Sequence, residues 1–168
     1  NVLGWVNELA FASVDLNKNS MADPWSGDNG VGATYFSQDS VIKLAPAAGI
    51  SLDKNLAPAE KLKAVQDILE SGGKGSQADG ARKIFMTIGD YLAHTLVLYG
   101  LFYDLKYILI LGRVASGSGG EILINECNRV LEDEYPELAA KINVMLPDEK
   151  MRRVGQSVAA ASLPEVRK

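Results

Sequence analysis

The chain has 168 residues, 47% of them hydrophobic and 23% charged, with a formal net charge of −4 and a pI of about 5.0. This is the composition of a soluble globular domain with one core, and its lysines and arginines are scattered, which excludes a basic patch for nucleic acid or for an anionic membrane. A single cysteine, Cys127, excludes an internal disulfide and a cysteine-based zinc site, and points to a cytoplasmic protein.

Residues 2–14 are apolar and strand-like, and the chain enters them directly from Asn1, so it reads as a piece of a longer protein. A polar, turn-rich stretch follows over residues 15–32, with Asp23, Pro24, Trp25, Ser26, Gly27, Asp28, Asn29 and Gly30 as a compact cluster of turn formers. Ser37 is placed to cap a helix over 38–44 that Pro46 and Gly49 end, and a second helix is expected over 58–69, closed by Ser71, Gly72 and Gly73.

The run Gly72, Gly73, Lys74, Gly75, Ser76 is reminiscent of a phosphate loop, but it follows a helix where a phosphate loop follows a strand, so it reads as a linker. Residues 78–103 form a long helix with apolar residues on nearly every face after Tyr91, as expected of a central, buried helix. The one histidine, His94, lies inside it without a second ligand or an obvious acidic partner and reads as a satisfied core side chain. Residues 84–111 are the most apolar region, yet Asp90, His94, Asp104 and Lys106 interrupt them, and neither a membrane span nor a signal peptide is recognisable.

The chemistry is concentrated in residues 106–131. Residues 107–111 are wholly apolar and predict a strand buried on both faces. Residues 112–120 hold four glycines, and residues 121–131 resume with Ile122, Leu123, Cys127, Val130 and Leu131 at near-helical spacing. Strand, glycine loop and helix make an α/β signature, and such loops are where ligands of open α/β folds bind. The spacing fits neither a P-loop nor the Rossmann fingerprint, and a tight turn needing positive φ is the plainer alternative. A short strand over 141–146, a turn over 147–149 and a last helix over 151–163 complete a single, helix-rich α/β domain spanning 1–168 with a small sheet.

Three blocks in this order resemble the C-terminal portion of the ROK family, the bacterial sugar kinases and sugar-responsive repressors. Asn7-Glu8-Leu9-Ala10-Phe11-Ala12-Ser13-Val14-Asp15 lies in register with the family's G-E-I-G-H-M-x-V-D. Residues 24–37 follow its C-x-C-G-x-x-G-C-L-E-x-Y-x-S block through Gly27, Gly30, Tyr35 and Ser37. Ile108-Leu109-Ile110-Leu111-Gly112 with Val114, then Gly120-Glu121, is similar to its strand, L-G-G-G-V loop and following helix. The blocks and their connecting helices cover nearly the whole chain. The resemblance implies part of an actin-like, hexokinase-like ATPase lobe of the ribonuclease H-like kind, with the upstream lobe missing.

The departures matter as much. Where the family places one histidine and three cysteines around a structural zinc, this chain has Phe11, Pro24, Ser26 and Val31. None of these coordinates zinc, so no structural zinc is expected and the loop should close on apolar contacts and turn hydrogen bonds. Of the sugar contacts the resemblance implies, Glu8 remains, whereas Phe11 replaces the histidine and Ala33 the second glutamate; Asp28, Asn29, Trp25 and Asp15 are the neighbouring candidates to take their place, with Asp28 and Asn29 put first. The nucleotide contacts implied are Gly112, Arg113, Ser116, Gly117 and Gly119, with Arg113 standing where the family has glycine.

No residue here corresponds to the family's catalytic aspartate, which lies in the upstream portion. The expectation is therefore the C-terminal part of an ATP-dependent sugar kinase that uses ATP with Mg2+, inactive by itself, since phosphoryl transfer needs both walls of the cleft. The alternative is the effector-sensing and dimerising part of a sugar-responsive transcriptional repressor. A ligand-free module that hides its apolar surface by self-association is a third reading. The expected partners are a small-molecule sugar and further copies of the chain, with no nucleic acid bound through these residues and no membrane.

Overall fold

The computed structural model describes residues 9–71 and 75–147. Of the one or two strands expected over 2–14, the 2–8 part lies outside the described residues, as do the 72–74 part of the glycine-lysine run, the 148–149 turn and the helix over 151–163; within 9–14 the expectation fails, since residues 9–11 form a 3-10 turn and Ser13 makes an isolated bridge.

Among the described residues, the chain first forms a 3-10 turn at Leu9–Phe11, a short helix α1 (Gly32–Tyr35), and α2 (Gln38–Leu44). Next come α3 (Pro58–Glu70) and the long α4 (Ser76–Gly100). Strand β1 (Tyr107–Leu109), a 3-10 turn at Arg113–Ala115, α5 (Gly117–Glu134), α6 (Pro136–Ala139) and β2 (Asn143–Met145) complete the order. The described part is thus helix-rich with a small sheet.

Local chemistry accounts for the helix ends. Ser37 caps α2, its hydroxyl accepting the Asp39 N–H at 3.3 Å. Ala57 has no capping oxygen, and the Glu60 carboxylate takes the Ala57 N–H at 2.8 Å, while Pro58 supplies the fixed φ that suits a first helical position.

The core is the seam between α4 and α5. From α4 it takes Ala81, Ile84, Phe85, Ile88, Leu92, Ala93, Leu96 and Tyr99, and from α5 Leu123, Ile124, Cys127, Val130 and Leu131, each set at the three-and-four spacing of a single helix face. Gly89 lets the two helices come this close, since a Cβ there would collide with the Leu123 carbonyl oxygen. Helices α2 and α3 add Val41, Leu62 and Val65 to the same cluster.

Strands β1 and β2 pair in parallel, Tyr107 with Asn143, Ile108 with Val144 and Leu109 with Met145, and α5 is part of the crossover between them. The strand expected to be buried on both faces is covered on one. Ile108 and Ile110 pack on the core, whereas Tyr107, Leu109 and Leu111 are exposed. An apolar run fixes a strand's character, but not whether a second layer covers it.

Three further expectations need correction. The long helix spans Ser76–Gly100 in place of 78–103, and α5 begins at Gly117, so the end of the expected loop is the first turn of a helix. His94 is not a core side chain. It is exposed, its Nδ1 lies 2.8 Å from the Tyr135 hydroxyl, and Asp90, one helical turn earlier, is 3.8 Å from its Nε2.

Candidate functional site

Two regions carry the candidate residues. The first is the glycine loop at the carboxyl end of β1. Gly112 has φ +116° and Gly117 φ +61°, conformations that a side chain disfavours. Between them the chain turns through Arg113–Ala115, with Val114 and Ala115 buried and Arg113 exposed. Gln66 of α3 holds the loop from outside, donating its Nε2 to the Ser116 carbonyl at 3.2 Å and to the Arg113 carbonyl at 3.4 Å. The Ser116 hydroxyl also donates to the Arg113 carbonyl.

The glycines divide by purpose. Gly119 is buried and a Cβ there would strike the Phe85 ring, while one at Gly120 would strike the Ala115 carbonyl. Both therefore serve close packing of α5. Gly112 and Gly117 are exposed and keep the backbone open on the outer side.

The first-turn N–H groups of α5 have no intrahelical acceptor, which favours a negative or hydroxyl-bearing ligand. A carboxylate already stands there: Glu70 Oε1 would be 2.9 Å from a Cβ on Gly117. It repels a phosphate at this spot and can accept hydrogen bonds from ligand hydroxyls.

The second region is the hairpin over residues 12–31, tied at its base by the antiparallel bridge Ser13 to Val31 and at its tip by Ala22 to Asn29. Buried Asp23 organises the tip. Its carboxylate accepts the Ser26 N–H at 2.6 Å, its carbonyl the Gly27 N–H at 2.8 Å, and its own N–H donates to the Asp28 carbonyl at 2.8 Å. The Ser26 N–H first, and the Ser26 hydroxyl second, hold the Asp23 carboxyl below the usual carboxylate range.

The rings of Phe11 and Trp25 pack with centroids 5.6 Å apart, and Trp25 is 83% exposed. Below the tip, the Tyr35 hydroxyl donates to the Asp15 carboxylate, and its ring stacks on Tyr91 at 5.3 Å. Burial first, and the Asp15 bond second, push the Tyr35 phenol up to about 12.

Asp28 and Asn29 are thus brought together at an exposed hairpin tip, and Gly112, Arg113, Ser116 and Gly117 at the outside of the glycine loop, while Gly119 faces the core. Glu8 lies outside the described residues. Sequence reasoning missed Glu70, Gln66 and the Asp15–Tyr35 pair; all three depend on contacts between distant segments, which residue spacing does not encode. Among the described residues no group of His, Cys, Asp or Glu is arranged to hold a metal ion, and no helix is long and apolar enough to cross a membrane. Compared with protein-family models, with curated proteins and with solved structures, the chain gives no significant match.

Proposed function

We propose that the chain is the C-terminal lobe of a ROK-type sugar kinase-like protein with an actin-like ATPase architecture, forming one wall of a cleft for a sugar and for ATP with Mg2+. The observation that carries this reading is the parallel β1–α5–β2 unit, with its glycine loop open at the carboxyl end of β1 and at the N-terminus of α5. On this reading the loop takes the ribose and adenine end of the nucleotide. Gly112 and Gly117 give the backbone access, and Glu70 accepts from a ribose hydroxyl.

The phosphates and the Mg2+ between them belong to the opposite wall, with the base that deprotonates the sugar hydroxyl. The exposed apolar face of Tyr107, Leu109 and Leu111 supports a second layer there.

Phe11 and Ala33, which offer a sugar hydroxyl no side-chain hydrogen bond, favour a second reading: the effector-sensing and dimerising part of a sugar-responsive repressor. The test is ATP-dependent phosphorylation across a hexose panel, with the protein isolated at the length its native cell makes. Turnover with any hexose supports the kinase. Sugar binding without turnover, combined with sugar-dependent release of DNA, supports the repressor. Failure to bind both sugar and ATP sinks the two together.

A further inference from the structure

We infer that Trp25 and Phe11 form a stacking platform for the C–H face of a pyranose ring, with the side chains of Asp28 and Asn29 at its rim for the ring's hydroxyls. The inference rests on the sugar-binding reading of this hairpin and says how that site would work without the hydrogen bonds that Phe11 and Ala33 cannot make.

Four observations lead to it. The core does not need the Trp25 ring, which is 83% exposed and whose ring contact is with Phe11. The segment presenting it is nevertheless fixed. Asp23 grips the Ser26, Gly27 and Asp28 backbone, the Ser26 hydroxyl accepts the Asp28 N–H at 3.2 Å, and the Gly30 N–H donates to the Met21 carbonyl at 2.8 Å. A large ring held out on a stiff turn loses little freedom when it meets a ligand.

The wiring also runs through the backbone of Asp28 and Asn29, which leaves a carboxylate and an amide exposed on the same turn as Trp25. Aromatic faces carry a negative potential that attracts the polarised C–H groups of a sugar ring, and the carboxylate and amide suit its hydroxyls. Finally, one exposed indole tilted 38° against a half-buried Phe11 ring is far smaller than the roughly 800 Å² per partner of a stable protein interface. The exposed Asp28 carboxylate on the same turn opposes an anionic membrane.

The platform selects a ring with a continuous C–H face over an open-chain polyol with the same hydroxyls. The experiment is calorimetric titration of the full chain with glucose, galactose and methyl β-glucoside, with sorbitol as the acyclic control, and ATP titrated in parallel. Trp25→Ala should weaken pyranose binding about tenfold, and Trp25→Phe should stay within about threefold of the wild type. ATP affinity and thermal midpoint should be unchanged in both variants, and sorbitol should not bind.

If Trp25→Ala binds pyranoses as the wild type does, the platform is wrong while the sugar-binding reading stands. If the wild type binds no pyranose, both fall. If Trp25→Ala instead converts an oligomer to a monomer without affecting sugar, the rings are a protein contact and the inference is overturned.

Discussion

Tyr35 fastens the base of the 12–31 hairpin by donating its hydroxyl to Asp15, twenty residues earlier, and the same hydroxyl receives the Met21 N–H at 3.4 Å. One phenol therefore clips two points of the hairpin to α1. Tyr35→Phe keeps the stack on Tyr91 and removes the clip. The expected cost is about 1 kcal/mol of stability, with faster amide exchange at Asn17 and Gly30 than in α4. Unchanged exchange in the hairpin would show that the bridges at Ser13 and Ala22 suffice.

The same pair gives the hairpin a pH dependence of known sign. The Tyr35 hydroxyl first, then the Asn17 N–H, lower the Asp15 pKa from its ordinary 3.8. A depressed folded pKa contributes stability above the unfolded value, and that contribution is lost as pH falls through the folded one. Hairpin protection should therefore be level from pH 7 down to about 4.5 and decline below 3.8. In Asp15→Asn it should already be reduced at pH 7 and show no such decline. Amide exchange read at Asn17 isolates this effect from Asp23 and Glu126, whose carboxyls are also held low.

The contact between α4 and α5 permits a sharp test of packing. Gly89→Ala gains about 1 kcal/mol of helix propensity, yet the new Cβ meets the Leu123 carbonyl, and overpacking of this kind costs roughly 1 to 3 kcal/mol. The expected result is a lower midpoint in urea. Gly75→Ala, with open space around its new Cβ, should change stability by less than about 0.5 kcal/mol.

Glu70 tells the two ends of a nucleotide apart. If the glycine loop takes the ribose, Glu70→Gln should weaken ATP and adenosine alike by several-fold. If it takes the phosphates, removing the negative charge should tighten ATP and leave adenosine unchanged. Calorimetry with both ligands separates the cases, and tightened ATP would refute the ribose assignment.

Leu101, Phe102, Tyr107 and Leu111 are each more than 60% exposed. Such a surface favours association. The 168-residue chain should sediment as an oligomer at micromolar concentration, and Leu101→Lys with Leu111→Lys should shift it toward monomer without altering its circular dichroism. An unchanged oligomer would place the contact elsewhere.

The helices were legible because their signals are local. Ser37 ahead of the helix over 38–44, Pro58 at the start of the next, and the apolar spacing in α4 and α5 operate within one or two turns, and the structure follows them to within a few residues. What was not legible depends on distant neighbours. Gly119 looked like part of a ligand loop until Phe85 came to lie against it, and Leu109 looked buried because sequence shows the strand but not its cover. His94 is a nearer miss, since Asp90 four residues earlier was a visible helical neighbour, while Tyr135 was not. In the candidate site, the composition of residues 23–30 announced a turn but could not say that Trp25 would be left outside it.

Cys127, the one thiol in the chain, sits fully enclosed between α4 and α5, where burial raises its pKa to about 12. It is thereby a natural clock for the molecule. A colourless disulfide reagent that turns yellow on reaction should find nothing to attack while the two helices stay together, so colour would appear only as fast as they part. Slow colour at low reagent that quickens in proportion to dose would report the fraction of time the seam stands open; colour that ceases to respond to dose would report the rate of parting itself.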